Sequence, residues 1–138
     1  MLSLPFEDGS FDFCVSDQVL EHVGGNPFDA VRETLRILRP GGFAVHTTCL
    51  LNGIHAQPDY WRFTPDGLAL LCSSVGGKVI SVDGWGNQDA LDLIRQGFRF
   101  SKVPLDPKHP LHRIAMANDK LNPICTWVVA QKPERQAS

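Results

Sequence analysis

Aromatic and β-branched residues cluster at 11–16, FDFCVS, and predict a buried strand. The preceding residues are rich in Pro, Asp, Gly and Ser and read as a loop with a turn at Asp8-Gly9. Residues 17–23, DQVLEHV, lose the strand pattern and predict a short helix stopped by Gly24-Gly25. Asn26-Pro27 is a helix start, an N-cap followed by Pro at the first helical position. Phe28, Val31, Leu35 and Leu38 then recur at steps of three and four, giving one apolar face up to Pro40-Gly41-Gly42. FAVHTT at 43–48 predicts the second strand. Residues 49–63 form a connection of Asn, Gly, His, Pro and aromatics. Thr64-Pro65 repeats the cap-then-Pro start for an apolar helix ending at Gly76-Gly77. KVISVD at 78–83 predicts a strand and 88–96 a helix. Residues 101–112 read as loop, 112–120 as a weak helix and 124–131, ICTWVVAQ, as the last strand.

Strands alternate with helices, which argues an α/β fold with a largely parallel sheet. Ligands in such sheets bind beyond the carboxyl ends of strands, so loops 16–26 and 47–63 are the candidate site. The 138 residues suit one domain, predicted over 1–132 with a polar tail at 133–138. Hydrophobic residues at 43% and charged residues at 20% exclude a disordered chain. A net charge of -2 without charge runs argues against nucleic-acid or anionic-membrane binding by bulk electrostatics.

The longest apolar run, Leu68 to Cys72, is far too short to span a bilayer, and no export signal is visible. The cysteines at 14, 49, 72 and 125 form no C-x-x-C and sit among apolar residues. Reduced thiols in a cytoplasmic protein are expected, with no metal at these spacings. A nicotinamide enzyme is disfavoured because no G-x-G-x-x-G follows a strand.

LPFEDGSFDFCVSDQVLEHV, then a helix, then LRPGG, and later DYWRFTPDGL, together resemble a class I S-adenosylmethionine (SAM)-dependent methyltransferase of the type-11-like branch. The resemblance implies a Rossmann-like sheet with strand order 3-2-1-4-5-7-6 and an antiparallel seventh strand. On that template FDFCVS, FAVHTT, KVISVD and ICTWVVAQ are the fourth to seventh strands, in spatial order 4-5-7-6. The sequence holds no counterpart of the first three strands, the glycine-rich SAM loop or the ribose-binding acid, so it reads as the C-terminal half of such an enzyme, a fragment.

The resemblance also implies roles. Leu4, Pro5 and Phe6 would line the adenine pocket, and Ser16, Asp17 and Gln18 would face SAM at the strand's carboxyl end. His22 is the candidate general base, because an imidazole titrates near neutral pH, with a structural role in the EHV motif as the competing reading. Glu21 reads as an anchor and His46 as a core histidine. His55, Tyr60, Trp61 and Arg62 would close over the acceptor, with Arg62 able to grip an anion by two bonds. The implied function is methyl transfer from SAM to a small-molecule, lipid or glycan acceptor. The alternative is a non-catalytic remnant that pairs through its exposed edge strand, including with a second copy. For the chain by itself, weak or absent SAM binding is expected.

Overall fold

The computed structural model describes residues 2–134; of the predicted polar tail, 135–138 lie outside the described residues. The elements are β1 (Phe11–Asp17), α1 (Pro27–Ile37), β2 (Leu38–Cys49), α2 (Pro65–Ser74), β3 (Lys78–Trp85), α3 (Gln88–Arg95), α4 (Pro110–Met116) and β4 (Cys125–Gln131). They form one four-stranded sheet in the order β1-β2-β4-β3. β1 runs parallel to β2, and β4 is antiparallel to both β2 and β3. This is the 4-5-7-6 arrangement that the motifs implied, with ICTWVVAQ inserted between FAVHTT and KVISVD.

The caps follow the sequence. The side chain of Asn26 accepts a hydrogen bond from the Phe28 amide at 3.0 Å, and that of Thr64 accepts one from the Gly67 amide at 3.0 Å. Each satisfies a donor that the first helical turn leaves orphaned. Three boundaries differ from expectation. The predicted helix at 17–23 shrinks to a 3-10 turn at Leu20–His22, because Gln18 turns the chain at φ 53. α1 stops at Ile37, and Leu38 already pairs with Phe11, since Pro40 cannot continue a helix. Gly42 lets β1 and β2 approach there: an added Cβ would stand 2.9 Å from the Asp12 carbonyl oxygen. α4 begins at Pro110 and ends at Met116, earlier than expected, with the His109 ring accepting from the Leu111 amide.

The core lies on one face of the sheet. Val31 of α1 and Leu68, Leu71 and Cys72 of α2 pack with Leu20 against Val128 and Ala130 of β4. α3 and α4 pack at the β3–β4 end, where Ala90, Leu91 and Ile114 meet Trp85 and Ile124. The opposite face is sparsely covered at β1: Phe13 is 69% and Val15 67% exposed, and Phe13 stacks on Phe43 of β2 at 6.0 Å between ring centres.

His46 is fully buried in β2, and its ring belongs to a three-residue polar chain. Its Nδ1 is 2.6 Å from Ser16 Oγ, and its Nε2 is 3.4 Å from Thr34 Oγ1. The Thr34 hydroxyl donates to the Val31 carbonyl at 2.8 Å, so towards His46 it can only accept. The consistent assignment has Ser16 donating to Nδ1 and Nε2–H facing Thr34, which is a neutral imidazole. Burial pushes the His46 pKa down from 6.5 to about 4.

This burial predicts a pH dependence. Between pH 6.5 and 4 the unfolded chain protonates His46 and the folded chain does not, so stability falls as pH falls through that window. The loss is about 3 kcal/mol when complete, at 1.36 kcal/mol per pKa unit. The depressed carboxylates Glu33 and Asp59, both at about 2, act lower, from the ordinary carboxylate range downward. Denaturant unfolding at a series of pH values should show this loss in the unmodified chain and a much flatter profile in His46→Gln. Parallel profiles for the two would refute the assignment.

Candidate functional site

The loops at the carboxyl ends of β1 and β2 meet, and specific bonds hold each in place. Leu4–Phe6 has no regular structure of its own. Helix α1 fixes it: Glu33 accepts the Leu4 amide at 2.8 Å, and Arg36 donates to the carbonyls of Leu4 and Phe6 at 3.1 and 2.8 Å. The Arg36 guanidinium, bound to Glu33, holds that carboxyl down at about 2. Phe6 then packs edge-on against Phe11 at 5.0 Å between ring centres.

Four of the six residues expected to hold cofactor line one groove. Leu4 and Phe6 form one wall and Ser16 and Asp17 another, with Val19 and Ile37 between, around a volume of about 310 Å³. Pro5 and Gln18 do not line it. The Ser16 hydroxyl is spent on His46, so this residue shapes the groove from below. Asp17 is exposed and accepts from the Thr47 hydroxyl. Gln18 donates its amide to the carbonyl and hydroxyl oxygens of Thr47, at 3.1 and 3.2 Å, and its side-chain nitrogen to the same hydroxyl at 3.2 Å. The left-handed backbone of Gln18, uncommon for a non-glycine residue, is therefore over-determined by β2.

The turn at Leu20–His22 carries the second loop. The Glu21 carbonyl accepts the amides of Tyr60 and Trp61 at 2.7 and 3.2 Å. The Trp61 indole donates to the Val23 carbonyl at 2.9 Å, and an added Cβ on Gly24 would stand 3.2 Å from the Tyr60 ring. His22 Nδ1 lies 2.6 Å from the Pro58 carbonyl, which can only accept. Nδ1 therefore carries a proton, which makes Nε2 the ring nitrogen positioned to serve as a base. The His22 and His55 rings meet edge-to-face at 5.1 Å. Tyr60 and Trp61 remain 55% and 38% exposed, while the Arg62 fork closes on both oxygens of Asp59, an internal partner. That pairing holds the Asp59 carboxyl at about 2.

Thr47, Thr48, Glu33 and Arg36 were not singled out from sequence. The two threonines stand within the FAVHTT strand, and Glu33 and Arg36 within the helix that Asn26-Pro27 begins. Their sequence signal was the polar pair closing an apolar strand, and a charged i, i+3 pair on a helix.

Comparison with known proteins agrees with this geometry. Residues 1–46 match the methyltransferase domain family. An uncharacterized methyltransferase of Mycobacterium sp. (strain KMS) is 56% identical over 43 residues, covering 31% of this chain and 17% of the relative. A Haloferax volcanii methyltransferase solved in complex with a methyltransferase activator protein superposes over 99% of this chain and 60% of its own, with a TM-score of 0.65 and 20% identity. Haemonchus contortus phosphoethanolamine N-methyltransferase 2, solved with S-adenosyl-L-methionine, superposes over 94% of this chain and 35% of its own, with a TM-score of 0.60 and 16% identity. The chain thus spans about a sixth of the curated relative's length and 35% to 60% of these structures. Residues 1–46 match a methyltransferase-domain family, and the four-stranded sheet shares the fold of the superposed part of these two structures.

Proposed function

We propose that this chain contributes one half of a SAM-dependent methyl-transfer site and the wall that receives the acceptor. The observation that carries this reading is the shared groove of Leu4, Phe6, Ser16 and Asp17, beside a loop fixed to the same turn. SAM is the cofactor of the matched family and supplies a methyl group already activated by its sulfonium. The protein's task is then to orient the acceptor and exclude water. The adenine is assigned to Leu4, Pro5 and Phe6, and the sulfonium end to Ser16, Asp17 and Gln18. His55, Tyr60, Trp61 and Arg62 are assigned to the acceptor, a small molecule, lipid or glycan. Asp59 already holds the Arg62 fork, so an anionic acceptor would have to displace or share that partner. His22 is the general base for an acceptor that must lose a proton, acting through Nε2.

The second reading is a pairing module, favoured by the apolar edge strand. Phe13 and Val15 are more than two-thirds exposed on β1, which lies at the end of the sheet. An unpaired edge carrying apolar side chains is a template for another strand. Among the described residues no helix is long and apolar enough to cross a membrane, so a bilayer span by these helices is not part of either reading.

Two experiments follow. Calorimetric titration of the chain with SAM should give no binding in the micromolar range, because the glycine-rich loop and ribose-binding acid are not in this sequence. At millimolar SAM, the amide resonances of Leu4, Phe6 and residues 16–18 should shift. A micromolar dissociation constant, about -8 kcal/mol, would overturn the half-site reading, as would shifts confined to other residues. For the edge, sedimentation at matched concentrations should show self-association of the unmodified chain and a shift towards monomer in Phe13→Lys. A monodisperse unmodified monomer would refute pairing through β1.

A further inference from the structure

Side chains from the turn after β1, the end of β2 and the loop that follows it converge, and the methyl-transfer reading gives them no joint role. Glu21 follows β1, Cys49 ends β2 and His55 lies in the loop itself. A carboxylate oxygen of Glu21, the Cys49 Sγ and a ring nitrogen of His55 all lie within 4.8 Å of one another. Glu21 and Cys49 are fully buried, and His55 reaches them from the exposed side.

Two independent features single out this cluster. The first is an orphan acceptor. Glu21 Oε2 accepts from the Thr48 hydroxyl at 3.0 Å, but among the described residues Oε1 has no hydrogen-bond partner although the residue is wholly buried. Leaving a buried polar atom unpaired costs about 1–3 kcal/mol, and more for a charged group. The nearby cation does not relieve it: the hydrogen bonds of the Arg62 guanidinium go to Asp59 and to the carbonyls of Trp61 and Gly53. The second is the setting of the imidazole. The buried carboxylate of Asp59 stands 3.6 Å from His55 Nδ1. A carboxylate beside one ring nitrogen is the usual outer partner of a histidine that holds metal through the other, and at 3.6 Å Asp59 is an ion-pair neighbour of Nδ1 that a small ring movement would bring into hydrogen-bond range.

We propose that Glu21, Cys49 and His55 form a binding site for a divalent transition-metal ion of borderline softness, zinc foremost, with a fourth position open towards the loop's solvent side. The donor set decides the class. A thiolate disfavours magnesium and calcium, which take oxygen ligands, whereas thiolate, imidazole and carboxylate together suit zinc. A thiolate and a carboxylate also neutralise the ion's two charges. Binding releases the Cys49 thiol proton to solvent as the metal–sulfur bond forms. Tetrahedral zinc sets its ligands about 3.5 Å apart, so the cluster closes by about an ångström. His55, outside any helix or strand, can supply that movement. The metal-free expectation drawn from sequence rested on cysteine spacing, and that spacing cannot register a site whose single cysteine meets a glutamate 28 positions earlier.

The test uses the full chain after chelator treatment, with cobalt(II) alone as the spectroscopic probe and zinc(II) as competitor. One cobalt per chain should bind, with a sulfur-to-cobalt charge-transfer band and the visible bands of a tetrahedral ion, and zinc should displace it. Cys49→Ser should abolish the charge-transfer band, and Cys125→Ser, on the neighbouring strand, should leave it. His55→Ala, at an exposed position that spares the fold, should weaken binding at least tenfold. Failure of cobalt to bind at millimolar concentration would overturn the proposal. So would a band that survives Cys49→Ser, or unchanged affinity in His55→Ala. Should Cys49→Ser not fold, His55→Ala decides alone.

Discussion

The carboxyl end of this sheet depends on the burial of one residue, Glu21. Its carbonyl takes the amides of Tyr60 and Trp61, and its side chain takes the Thr48 hydroxyl. Through these bonds the turn after β1 and the long loop after β2 become one body. Buried acceptors are expensive unless their lone pairs are used: the Glu21 carbonyl is satisfied by the loop amides, and the carboxylate takes the Thr48 hydroxyl of β2. Among the described residues Oε1 has no partner, and one carboxylate oxygen of Glu21 lies among the ligand-type atoms of Cys49 and His55. Structure and candidate chemistry here share one physical cause.

The sheet beneath explains why this end can be fixed so firmly. β4 is inserted between β2 and β3 and pairs antiparallel with both, so the centre of the sheet has no free edge. The buried chain Ser16–His46–Thr34 ties β1, β2 and α1 together under the groove. Helix α1 does a second task from its surface, where Glu33 and Arg36 hold the backbone of residues 4–6 in place. The groove floor is therefore core, and its rim is a helix-bound loop. The cost lies at β1, where an apolar edge stays exposed.

Much of this was legible in the sequence because strong local rules agreed. Asn26-Pro27 and Thr64-Pro65 marked helix starts by chemistry that needs no tertiary context. The LPF, EHV and LRPGG motifs carried the family resemblance, and that resemblance implied the sheet order. Local rules failed where a long-range bond decided the outcome. DQVLEHV did not become a helix because Thr47, on the adjacent strand, captures Asp17 and the Gln18 backbone. Ser16 sits where a ligand was expected, but a core histidine 30 residues away takes its hydroxyl. Arg62 has the fork suited to an anion, and Asp59, three residues before it, occupies that fork. None of these partners is implied by periodicity.

The central claim is that the turn after β1 and the loop after β2 are one preorganised unit joined at Glu21. Residue-resolved hydrogen exchange of the native chain tests it most directly. The Tyr60 and Trp61 amides, though they lie in an irregular loop with exposed side chains, should exchange as slowly as the amides of β2. Exchange of these two amides at the rate of an unstructured peptide, with β2 still protected, would contradict the account.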